Sequence, residues 1–112
     1  MLNLLRFRDV ADYAESPDLA PDDPVSGQDA YARYGAAAMP HLSDAGAEIV
    51  YHGSASETII GPTGEHWDQV VLVRYPSPAA FLGMVTTSEY QQLSGHRTAA
   101  LADSRLVPTL QS

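Results

Sequence analysis

The sequence contains no cysteine among its 112 residues. Disulfides, thiolate metal sites and cysteine nucleophiles are therefore excluded. It contains no lysine either: all six basic side chains are arginine, set against fourteen carboxylates, for a formal net charge of −8. Such a surface repels phosphate backbones, so no nucleic acid partner is expected. No apolar run is long enough to span a bilayer, and the start, MLNLLRFRDV, is too short and too soon charged for a secretory signal. A cytoplasmic protein with no membrane partner is the expectation.

Several catalytic signatures are also missing. There is no GxSxG nucleophile elbow, no phosphate-binding loop and no dinucleotide-binding glycine fingerprint. Gly61-Pro62-Thr63-Gly64 reads as a turn. The four histidines (His41, His52, His66 and His96) show neither HxH nor HExxH spacing. No cofactor and no metal is expected.

What is present fits one domain over residues 1–112. LNLLRFR (2–8) reads as a first strand, with Asn3, Leu5 and Phe7 on one face and Leu4, Arg6 and Arg8 on the other. Residues 9–25 carry three prolines and six of the fourteen acids, and form either a lid-like loop or a disordered segment. Ser26 and Asp29 have capping-box spacing and open a helix whose stripe is Tyr31, Tyr34, Ala38 and Leu42. Pro40 should kink this helix or split its last turn, and Gly46 should stop it. AEIVYH (47–52) is a second strand, continued by ETIIG after a bend. WDQVVLVRY (67–75) is the clearest strand, and its four consecutive apolar residues predict a central strand covered on both faces. Ser77 and Pro78 start a helix, Ser88 recaps a second piece, Gly95 weakens its middle, and Asp103-Ser104 breaks it before a last strand, RLVPTL.

The order β-α-β-β-α-β predicts an α+β, ferredoxin-like fold with a four-stranded antiparallel sheet. Its two helices cover one sheet face, so a second copy of the chain is the expected cover for the other.

The stretch WDQVVLVRYPSPAAFLGMVTTSEYQQLSGHRTAALADSRL (67–106) resembles the DUF1330 family and its relatives in the dimeric α/β-barrel superfamily. The matching features are the apolar strand ending in YPS, Ala80-Phe81, the Ser88-x-Tyr90 element and HRTAALADSRL; LNLLRFR and the strand from Glu48 to Gly53 are similar too. The resemblance implies a dimeric α/β barrel. It implies no activity, because DUF1330 has none assigned, and likeness to the superfamily's enzymes is analogy only.

Chemistry, where the chain performs any, is expected from histidine acting near neutrality. The candidate catalytic residues are His96, His41 and Arg97, with Arg97 alternatively paired to Asp103. Candidate substrate-binding residues are Asn3, Arg6, Tyr34, Trp67, Tyr90 and Arg105. Arg6 also suits an ion pair between subunits, and Trp67 is expected to pack under the acidic loop. Two functions stand side by side. One is a cofactor-free isomerase, cyclase or dehydratase acting on a largely apolar organic molecule. The other is a non-catalytic dimeric ligand-binding or accessory protein.

Overall fold

A computed structural model describes residues 1–111 of the chain. Its elements run β1 (Leu2–Phe7), a 3₁₀ turn (Pro17–Leu19), α1 (Gly27–Asp44), β2 (Glu48–Ser54), β3 (Gln69–Arg74), α2 (Pro78–Val85), α3 (Ser88–Ala100) and β4 (Leu101–Val107). The sheet order is β2-β3-β1-β4, with every neighbouring pair antiparallel. This is a ferredoxin-like α+β fold, with the apolar third strand in the interior of the sheet as its sequence predicts.

Register assigns the two faces. Leu5 stands opposite Gln69 and Ser104, and Asn3 opposite Val71 and Leu106; this face lies under the helices. Leu5 is fully buried there with Val71, Val73, Ala30, Ala100 and Leu101. The other face carries Leu2, Leu4 and Arg6 beside Leu72 and Val70. Those four apolar residues are only half-buried within one protomer. β3 is thus dry on the helix side and partly wet on the other.

Local signals explain the helix ends. The Ser26 hydroxyl accepts from the Asp29 N–H at 3.0 Å, and Ser77 caps α2 in the same way through the Ala80 N–H. Thr87, one residue ahead of the expected Ser88, caps α3 by accepting from the Tyr90 N–H. Gly46 adopts φ +72° and closes α1, with its N–H donating to the Ser43 carbonyl and the Ala47 N–H to the Leu42 carbonyl. Pro40 does not split α1. Both Pro40 and Ala36 are exposed, so the carbonyl left without its helical donor opens to water.

Two expectations are corrected, and of the two alternatives for residues 9–25 the ordered loop is the one observed. ETIIG is not a strand: apart from a lone bridge between Glu57 and His66 the segment is irregular, and Ile59 and Ile60 stand in solvent. Its apolar run resembles a strand, but no neighbouring strand is in reach. Asp103 and Ser104 do not break the helix. α3 ends at Ala100 and β4 begins at once with Leu101, which is buried in the core. The 9–25 segment is folded onto the domain, not splayed from it: Ala11 and Asp12 donate backbone bonds to Val25 and Ala99. Gly95 belongs to this packing, since a Cβ there would lie 2.5 Å from the Ser16 hydroxyl.

The tightest point in the fold is Gly27. A Cβ on Gly27 would meet the Arg8 carbonyl at 2.3 Å and the Ala100 carbonyl at 2.5 Å, both backbone atoms. Replacing Gly27 with Ala should therefore destabilise the domain by about 1–3 kcal/mol in urea unfolding, the usual cost of overpacking. Gly83, in α2 with open space around its Cβ position, should respond in the opposite sense. Gly83→Ala should gain about 0.5–1 kcal/mol through helix propensity.

Candidate functional site

Helix periodicity and strand alternation converge on one cleft between α1, α3 and the sheet. Tyr31, Tyr34, Ala38 and Leu42 present one stripe of α1, and Tyr90, Ser94 and Arg97 present one stripe of α3. The floor is Asn3, Gln69, Val71 and Val73, and Tyr75 and Phe81 close one end. The cleft measures about 550 Å³, the size of a small-molecule site.

Its walls are aromatic and neutral. Tyr31 and Tyr34 pack at 5.3 Å between ring centroids, Phe7 lies 5.5 Å from Tyr31, and Tyr75 meets Phe81 edge-on at 5.1 Å. The Tyr34 and Tyr90 hydroxyls share a short hydrogen bond. Burial, helped by that bond, holds the Tyr34 phenol far above the usual range. Burial lifts Tyr75 to about 12. Tyr31 is raised by burial too, and the neighbouring Arg97 charge works against the rise. No carboxylate lines the cleft among the described residues.

Among the described residues, Arg97 is the one arginine or carboxylate-type charge that lines this surface. Its Nη2 is buried and has no hydrogen-bond partner. The pairing with Asp103 is not made. Asp103 lies on β4 opposite Arg6 and binds Arg105 at 2.6 Å, and these contacts hold its carboxyl below the usual range.

The remaining sequence candidates separate. Asn3, Tyr34, Tyr90 and Arg97 come together in the cleft, where the Asn3 amide donates to the Val71 carbonyl at 3.3 Å. His41 sits outside its lining, with its ring edge-on to Tyr90 at 6.1 Å. His96 turns away from the cleft. Its Nδ1 shares a 2.8 Å hydrogen bond with the Tyr13 hydroxyl of the acidic loop. Neighbours on a helix diverge, so the His96-Arg97 pair cannot serve one atom. Arg6, Trp67 and Arg105 lie on the opposite side of the sheet. Trp67 does not sit under the acidic loop as expected; Arg105 stacks over its ring at 5.1 Å.

Sequence reasoning missed His52 and Gln69, which line the cleft and hydrogen-bond each other at 3.2 Å. Strict alternation puts His52 on the face opposite Ile49. An irregularity between Ile49 and Tyr51 shifts the register, so that Ile49 pairs with Val73 and His52 with Val71, both on the cleft side. Tyr31 was legible only as a core aromatic on the α1 stripe, and Tyr75 only as the end of the third strand.

A family model described as a domain of unknown function, DUF1330, matches residues 24–110. The chain belongs to the DUF1330 family. Two crystal structures of RPA0582 resemble it over nearly its whole length. The methylated RPA0582 protein is 39% identical, with a TM-score of 0.82, covering 95% of this chain and 74% of that one. RPA0582 from Rhodopseudomonas palustris, described as a protein of unknown function, is 38% identical, with a TM-score of 0.80, covering 98% of this chain and 81% of that one. No functionally curated protein matches. For this DUF1330 chain the family therefore supports the fold, and the argument about function rests on the cleft.

The His96–Tyr13 contact makes a pH prediction. Burial, and secondarily the Arg33 charge, lower the His96 pKa from 6.5. The unfolded chain then binds the proton more readily, so the His96 contribution is complete above the unfolded value and declines as pH falls below it. Thermal unfolding between pH 7.5 and 5 should show a falling Tm that His96→Gln flattens. An unchanged slope in the variant would assign the effect elsewhere.

Proposed function

We propose that this DUF1330 chain is a small-molecule-binding protein that houses a largely apolar organic ligand in its helix–sheet cleft and works as a homodimer. The observation that carries the reading is the cleft itself: about 550 Å³, walled by four tyrosines and aliphatic side chains, with a few polar groups converging on it. The scarcity of histidine in its lining favours binding over proton-shuttling chemistry by His96 or His41.

The homodimer is supported by the open sheet face. Leu2, Leu4, Val70 and Leu72 form a contiguous apolar patch across β1 and β3. Tyr51 and Val107 flank it with 56% and 42% of their surfaces exposed. A patch of this kind, rimmed by Arg6, Arg74 and Arg105, suits an isologous contact with a second copy. Arg6 and Arg105 then act at the interface.

A catalytic reading is favoured by one observation, the presence of His52 on the cleft surface. With Nε2 engaged by Gln69, its Nδ1 is free to exchange a proton with a bound substrate. Cofactor-free isomerisation, cyclisation or dehydration is the chemistry that fits, and His52 replaces His96 as its base.

Two measurements test these assignments. Sedimentation should give twice the 12.0 kDa protomer mass, and Leu72→Arg should yield a folded protomer. Titration with phenylacetamide, a neutral aromatic probe, should perturb amide resonances of cleft residues on α1, α3 and β3. Gly35→Phe should abolish this response, because Gly35 lines the cleft with open space beyond its Cβ position. Perturbation spread evenly over the surface would remove the binding reading.

A further inference from the structure

A guanidinium with one nitrogen out of solvent and no counter-charge is a costly arrangement unless something completes it. Desolvating a guanidinium costs several kcal/mol, and water or an anion normally offsets the loss. Arg97 meets this condition in an unusual setting. Its Nη2 is out of solvent with no acceptor. Neither of the two ion pairs among the described residues involves it. The Tyr31 hydroxyl interacts with the guanidinium as a hydrogen-bonding neighbour, but burial raises its pKa, so it stays a neutral phenol and supplies no charge. The cleft around it contains no carboxylate among the described residues, although the chain as a whole carries a net charge of −8. Among the described residues, none of the fourteen acids lines the cleft that half-buried Arg97 lines.

The rest of the cleft says what accompanies the anion. Tyr31 and Tyr34 lie tilted against each other along α1, and Tyr75 edge-on to Phe81 closes an end, giving aromatic walls suited to a ring or a branched chain. Asn3 and the Gln69–His52 pair, on the sheet side, offer hydrogen bonds to a second polar group.

We infer that the ligand of this cleft is a small aromatic or branched organic acid whose anionic oxygen sits on the Arg97 guanidinium where it lines the cleft. The inference rests on the binding reading above and adds to it the charge and chemical class of the ligand. Arg97 then acts as the selectivity determinant: it makes a charge-assisted hydrogen bond that only an anion satisfies, in a water-poor site where that bond is strong.

The test is a comparison of three isosteric probes, phenylacetate, phenylacetamide and phenethylamine, titrated into the full chain and followed by amide and side-chain guanidinium resonances. Phenylacetate is expected to bind at least about tenfold more tightly than the amide, to shift the Arg97 guanidinium signal and to outcompete the amine. Arg97→Met should erase the preference for the acid over the amide. Its Tm should not fall below that of the parent, because an uncompensated charge is removed with the stem's packing retained. Arg97→Lys serves as the second variant and should retain part of the acid preference. Equal binding of acid and amide in the cleft would overturn this inference and leave the binding reading standing. A preference for the acid that survives Arg97→Met, or acid-induced shifts confined to Arg6 and Arg105, would also overturn it. Failure of all three probes to perturb cleft residues would overturn both.

Discussion

Three strands of backbone meet at Gly27, and the geometry of the domain follows from that meeting. The Gly27 N–H donates to the Arg8 carbonyl at 3.0 Å, while the Arg8 N–H donates to the Ala100 carbonyl at 2.8 Å. The end of β1, the start of α1 and the end of α3 are therefore tied at a single point where no side chain fits. Both helices leave that point over the same sheet face, β4 departs from it into the sheet, and the acidic loop is pinned across it by the Asp12 bond to Ala99. The cleft begins beside this junction, at Phe7, Gln28, Arg97 and Thr98, and runs on between the helices and the sheet.

Alanine and tyrosine divide the helix faces between packing and cavity. Ala30, Ala38, Ala99 and Ala100 are buried and bring the helices close to the sheet. The tyrosines stand further along the same stripes and are too large to be swallowed whole. Their rings wall the cleft, and two of their hydroxyls satisfy each other. This arrangement leaves Arg97 among neutral groups. A protein with abundant carboxylate nonetheless keeps all of it away from this guanidinium, and Asp103 is committed to Arg105 on the far face. This charge arrangement is the feature that the proposed anionic ligand would complement.

The opposite sheet face poses a separate packing problem. Leu2, Leu4, Val70 and Leu72 follow from alternation along β1 and from the apolar run in β3, and their half-burial in one protomer shows that the run is not fully used within it. The same feature that made β3 easy to recognise is the one that asks for a second chain. Cleft and open face lie on either side of a single sheet, so β1 and β3 connect ligand site and proposed interface through one layer of backbone.

Local chemistry determined much of this from sequence alone. The caps at Ser26 and Ser77, the stop at Gly46, the alternation of β1 and the central position of β3 depend on residues within a few positions of one another, and all were readable. The tyrosine stripe of α1 and the presence of Asn3 beneath it were readable for the same reason. Four of the candidate site residues, Asn3, Tyr34, Tyr90 and Arg97, came together because periodicity alone aims them inward. What failed depended on longer distances. His96 was lost to Tyr13, a partner 83 residues away. His52 entered the cleft through a register shift in β2 that leaves no mark on composition. ETIIG had the hydrophobicity of a strand and no strand beside it, and Trp67 found Arg105 across the sheet instead of the acidic loop. Sequence decides which way a residue points within its own element. Tertiary structure decides what it meets there, because burial and pairing are properties of two surfaces and not of one.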